Sequence, residues 1–150
     1  METYEFMKST AEPANKLHTV YFLWAKQRGF SYNELSVLYT VYNNGSCSQK
    51  RICDEWFLPK QTVHSICKEL CRSGMIVLEQ STADKRETSI TLTEKGKALA
   101  EPIAKELLAT EERVLKKMGE ERAALFLSLY MEFADCVENE FMKKKIHEGE

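Results

Sequence analysis

The sequence predicts a mainly α fold, α+β in detail because one small hairpin is set among the helices, and three observations carry that prediction. Apolar residues recur at helical spacing along most of the chain, the period of helices with one inward face. Two short β-prone runs, Met75-Ile76-Val77-Leu78 and Thr88-Ser89-Ile90-Thr91-Leu92, flank the polar stretch Ser81 to Glu87 and read as a hairpin. The helical patterns at both ends are long and carry more large apolar residues than one small lobe needs for its own core.

Taken in order, residues 1–12 read as an irregular or partly helical lead, with Tyr4 and Phe6 placed to pack on a partner. Pro13 fits a helix start, where its missing N–H costs nothing. Leu17, Val20, Tyr21 and Trp24 then form a stripe that runs to Gly29, a helix stop. Ser31-Tyr32-Asn33-Glu34 matches a capping box, in which the serine accepts from the helix start and the glutamate reaches back. The helix it opens carries Leu35, Leu38, Tyr39 and Tyr42 and ends at Asn43-Asn44-Gly45.

Ser48 is placed to cap a short helix with Ile52, Cys53 and Trp56 on its apolar side. Only Phe57 and Leu58 separate that helix from Pro59, which suits the first turn of another; this is the connection length of a helix-turn-helix. The second helix turns Val63, Ile66, Cys67 and Leu70 inward and stops at Gly74. After the hairpin, Thr93 caps a long helix with Glu94 in its first turn. Pro102 lies inside the pattern Leu99, Ile103, Leu107, Leu108 and Val114, so that helix either kinks there or begins later. Met118-Gly119-Glu120 reads as a break. The last helix shows Leu125, Phe126, Leu129, Tyr130, Phe133, Val137 and Phe141 before Lys143-Lys144-Lys145, cations that suit a helix C-terminus.

The outward face of the helix after Pro59 carries Lys60, Gln61, Thr62, His64, Ser65 and Lys68, with no carboxylate before Glu69. A major groove offers base-edge donors and acceptors between two lines of phosphate, and a helix entering it needs this kind of face. An ordinary solvated helix can look the same; the context decides. A helix-turn-helix followed by a hairpin is a winged helix, and an arginine at the hairpin tip can reach into a narrow minor groove. On this reading Ser48 and Gln49 meet phosphates through the start of the supporting helix, the six residues above serve the major groove, and Lys85 and Arg86 serve the wing. Asp84 orients Arg86 by a charge-assisted hydrogen bond rather than touching DNA, since it would repel phosphate.

Asp84-Lys85-Arg86 followed by Ile90-Thr91-Leu92-Thr93-Glu94-Lys95-Gly96 resembles the D-x-R wing and the L-T-x-x-G helix start of MarR-type transcription regulators. The helix pair, Gly74 and the long terminal helices fall in the same order, so the resemblance covers nearly the whole chain. It implies a homodimeric winged-helix repressor or activator whose affinity for DNA is altered by a small ligand, a metal or an oxidant. It also implies an effector crevice between the arms and the DNA lobe. Tyr21, Trp24, Tyr39, Tyr42 and Trp56 would line it and suit a flat aromatic or phenolic compound, core packing being the other reading of these rings. Oxidant-sensing relatives carry a reactive cysteine near the start of the first long helix, and this sequence has none there.

A chain of 150 residues fits one DNA-binding lobe with dimerising arms: a winged helix-turn-helix over residues 31–98 and a helical dimerisation region over 1–30 and 99–150. Burial in a two-fold dimer accounts for the aromatic terminal stripe. The formal net charge of −2 counts mildly against nucleic acid, but residues 48–97 hold nine Lys/Arg against seven Asp/Glu, so the centre is the basic part. No apolar run approaches the ~20 residues that span a bilayer, and the first residues lack a signal-peptide pattern, so a cytoplasmic protein is expected.

Five cysteines without a C-x-x-C pair are expected as reduced thiols. Cys53 and Cys67 fit apolar stripes, whereas Cys47 and Cys71 are expected to be accessible and are the candidates for a thiol switch. His18, His64 and His147 are scattered; a His18–Glu34 pairing could hold a metal, though solvated side chains are the simpler reading. No catalytic motif is present, so no enzyme and no cofactor are expected. The expected function is a homodimeric, sequence-specific DNA-binding transcription regulator, a repressor, that acts on a pseudo-palindromic operator and responds to a small molecule. The alternatives are a dimeric protein-interaction module without DNA binding and a regulator switched by thiol oxidation.

Overall fold

The computed structural model describes residues 2–80 and 88–142. In chain order the elements are α1 (Thr3–Gln27), α2 (Tyr32–Asn44), β1 (Ser46–Ser48), α3 (Gln49–Trp56), α4 (Lys60–Arg72), β2 (Ile76–Gln80), β3 (Thr88–Leu92), α5 (Glu94–Met118) and α6 (Glu120–Met142). Two compact units divide the chain after Ala104, the second taking the C-terminal part of α5 and all of α6.

In the first unit α2, α3 and α4 pack around a three-stranded antiparallel sheet of order β1-β3-β2. Strand β3 is central. Its Ile90 stands opposite Cys47 on β1 and Leu78 on β2, and period-two alternation sends Ile90 and Leu92 into the core. Ile90 meets Val37, Leu38 and Val41 of α2, Ile52 of α3, and Val63, Cys67 and Leu70 of α4 in one buried cluster. Each large aliphatic side chain buried there contributes about 1.5–3 kcal/mol relative to exposure.

The local signals hold at most element ends. Ser31 Oγ accepts from Glu34 N at 3.2 Å and Ser31 N donates to Glu34 Oε2 at 2.8 Å, so the capping box is complete. Ser48 caps α3 by accepting from Arg51 N at 3.2 Å. Gly119, at φ +83°, separates α5 from α6.

Four expectations change. Helix α1 starts at Thr3, so residues 3–12 are helical and Pro13 lies inside the helix rather than at its start. Pro59 is the N-cap of α4, extended at ψ 139°, not its first helical residue. Helix α5 starts at Glu94 and runs through Pro102, which removes the later start. The short strand β1 was not expected at all.

In the second unit, α6 buries none of its 23 residues. Leu125, Phe126, Leu129, Tyr130 and Phe141 are all at least half exposed, and Phe126 stacks on Tyr130 with ring centroids 5.5 Å apart. A helix this apolar with no buried side chain presents a surface that water does not favour. Lys143-Lys144-Lys145 lie outside the described residues.

Candidate nucleic-acid interface

Helix α4 is held by its inner side and leaves its outer side free. Val63 and Cys67 are fully buried and Leu70 nearly so, which fixes the helix rotation. Lys60, Gln61, His64, Ser65 and Lys68 are therefore exposed together, with Thr62 half-buried at their margin. Ser48 and Gln49 are half-buried at the N-terminus of α3, where the Ser48 hydroxyl caps the helix by accepting from Arg51 N. Asp84, Lys85 and Arg86, the expected wing residues, lie outside the described residues; the strands on either side of them pair in register from Ile76↔Leu92 to Gln80↔Thr88.

The C-terminus of α4 is locked to the start of α5. Gly74, at φ +72°, ends α4, and Met75 N donates to Leu70 O at 2.8 Å. Thr93 Oγ1 donates to Gly74 O at 2.7 Å and accepts from Gly96 N at 3.0 Å, while Lys95 Nζ donates to Ser73 O at 2.8 Å. A Cβ on Gly96 would overlap the Met75 carbonyl oxygen, so only glycine permits this approach. The T-x-x-G spacing thus ties the end of α4 to the start of α5, a role for Gly96 and Lys95 that the spacing alone did not reveal.

An aromatic chain links three helices. His18 of α1 meets Tyr32 of α2 edge-on at 5.2 Å, and Tyr32 meets Trp56 of α3 at 5.9 Å. Trp56 Nε1 donates to the buried Thr40 Oγ1 at 2.7 Å. Burial of the Tyr32 phenol raises its pKa. Of the expected effector residues, Tyr42 and Trp56 pack against the lobe core, whereas Trp24 lies under the Arg28 guanidinium, 3.7 Å from the ring centroid. Tyr21, Trp24, Tyr39, Tyr42 and Trp56 are all half-buried. His18 and Tyr32 belong to this aromatic group, although the sequence pattern marks His18 only as a metal candidate and Tyr32 only as part of the capping box. Glu34 spends its carboxylate on the Ser31 cap. Among the described residues no three His, Cys, Asp or Glu side chains are grouped to hold a metal.

The cysteines divide differently from expectation. Cys47 is 6% exposed, not accessible, because β1 alternation turns it inward against Ile90. Burial pushes its thiol up to about 11 despite the lowering effect of Arg51, and pushes Cys67 to about 12. A protonated, buried thiol is a poor nucleophile, so Cys47 is unsuited to sensing oxidants. Cys71 and Cys136 are exposed.

A helix-turn-helix whose second helix presents a polar, cationic face, followed by a paired hairpin, defines the winged-helix class. The model of the MarR family matches residues 28–87. The solved structure of a MarR family regulator from Neisseria meningitidis is similar over 92% of this chain and 97% of that one, with 30% identity and a TM-score of 0.83. The chain belongs to the MarR family. The transcriptional regulator SarZ of Staphylococcus aureus is 29% identical over 84 residues, so the match spans 57% of that relative's length and 56% of this chain. A MarR family protein of Listeria monocytogenes, solved in complex with 26mer DNA, shares the fold over 94% of both chains at 18% identity and a TM-score of 0.70. The family and these neighbours are transcription regulators, not enzymes. No helix among the described residues is long and apolar enough to cross a membrane.

Proposed function

We propose that this chain acts in the cytoplasm as a homodimeric repressor that binds a pseudo-palindromic duplex DNA site. The observation that carries the reading is the outer face of α4: Lys60, Gln61, His64, Ser65 and Lys68 are exposed together on a helix whose inner side is anchored in the core. Long donors and acceptors on a rigid helix are what a major groove requires, some for base edges and some for the phosphates that flank them. The Listeria protein crystallised with DNA supports the same use of the fold. The unburied apolar residues of α6 support the dimer, since two-fold pairing would remove them from water.

Effector response is part of the proposal. The half-buried rings of Tyr21, Trp24, Tyr39, Tyr42 and Trp56 offer apolar area with a few polar tips, suited to a flat aromatic or phenolic molecule. Selection of duplexes from a random pool tests the DNA reading. Two inverted half-sites should be enriched, with centres about one helical turn (~10 bp) or a multiple apart. Enrichment of no sequence, together with capture of no duplex, would return the chain to the interaction-module alternative.

A further inference from the structure

An open groove of about 470 Å³ runs between α4 and the hairpin, lined by His64, Lys68, Cys71 and Arg72 of α4 and Leu78 of β2. We infer that this groove seats one phosphodiester strand of duplex DNA, with Arg72 as a phosphate ligand and with His64 and Lys68 serving the backbone rather than base edges. The inference rests on the DNA-binding reading and refines it.

Three features converge. His64, Lys68 and Arg72 follow each other at four-residue spacing, so their hydrogen-bond donors line one side of the helix as a track rather than a point. The groove lies between the helix meant for a major groove and the strand that leads to the hairpin tip. A protein that reaches into a major groove with a helix and into the adjacent minor groove with a wing must straddle the backbone strand between them. The groove is also open-sided, so it cannot enclose a small molecule on most of its surface. A strand already held on both sides needs no enclosure.

Glu69 is the competing anion. It pairs with Arg72 one turn along α4, which lowers the Glu69 carboxyl pKa. Both side chains are well exposed, and such a pair is weak. Guanidinium has five donors, so Arg72 can turn to phosphate or share it. Neutralising Glu69 should therefore strengthen binding, and only while Arg72 is present.

The test uses the intact chain and random-sequence duplex. Arg72→Ala and Lys68→Ala should each make the slope of log affinity against log salt shallower by about 1, with the far-ultraviolet spectrum unchanged. Glu69→Gln should tighten binding, and Glu69→Gln/Arg72→Ala should lose that gain. Duplex should also slow alkylation of the Cys71 thiol by N-ethylmaleimide in proportion to the fraction bound, leaving the rate at Cys136 unchanged. Steep salt dependence in wild type, unaltered in both variants and without protection of Cys71, would overturn the groove while leaving DNA binding intact. Equal protection by inorganic phosphate at matched ionic strength would make it a free-anion site and overturn the duplex assignment. Failure of wild type to bind any duplex would overturn both readings.

Discussion

Thr93 and Gly74 are joined by a hydrogen bond from the threonine hydroxyl to the glycine carbonyl oxygen at 2.7 Å, across the hairpin that separates them in sequence. The same hydroxyl oxygen caps α5 by accepting from Gly96 N. One side chain thus fixes the end of α4 to the beginning of α5. Gly96→Ala, which would force a Cβ into the Met75 carbonyl, should cost about 1–3 kcal/mol in urea unfolding and weaken DNA binding by tilting α4. Thr93→Ser should be mild and Thr93→Val should cost about 1 kcal/mol, the cap being lost. An unchanged unfolding midpoint in Gly96→Ala would show that the close approach is not a constraint.

Phe57 is the only non-glycine residue at positive φ among those described, left-handed at φ 50° and ψ 36° in the turn between α3 and α4. Its side chain is 94% exposed, so no burial offsets the strain. Phe57→Gly should therefore raise stability by about 1 kcal/mol in the same assay. A lower midpoint would mean that the ring makes a stabilising contact.

The buried thiols define a response to alkali. Both Cys47 and Cys67 have folded pKa values raised from 9.0, to about 11 and about 12. Between 9 and those values the unfolded chain has released protons that the folded chain retains. Stability contributed by these thiols is complete below pH 9 and falls as pH rises through 11 to 12. Cys47→Ala/Cys67→Ala should flatten that part of the stability profile. In native buffer a thiol reagent should reach Cys71 quickly, and Cys47 and Cys67 only on unfolding.

The apolar face of α6 predicts a dimer that charge can dissociate. Leu129→Glu and Phe126→Glu in sedimentation should yield monomers, with affinity for a two-half-site duplex falling more than affinity for a single half-site. Dimers that persist in both variants would place the interface elsewhere.

Much of this architecture was legible from residue patterns. The capping box at Ser31, the stripe Val63, Cys67 and Leu70, and the break at Gly119 are local signals, and each decided a helix end or a rotation. What escaped was set by partners distant in the chain. Ser46-Cys47-Ser48 is too short to show alternation, and its pairing with Ser89-Ile90-Thr91 is what buries Cys47. The need for glycine at 96 comes from the Met75 carbonyl, which no local pattern reveals. Proline favours first turns, yet α1 continues through Pro13. The polar outer side of α4 was visible as composition, whereas the groove it forms with Leu78 needed the packing of β2.

The most direct test of the central claim is a salt titration of binding to random-sequence duplex, comparing wild type with the Lys85→Ala/Arg86→Ala double variant. The account predicts a steep fall of log affinity with log salt in wild type and a slope shallower by about 2 in the variant, one for each phosphate no longer neutralised. Absence of wild-type binding at low salt would contradict DNA binding itself, and identical slopes would contradict the contribution of the wing.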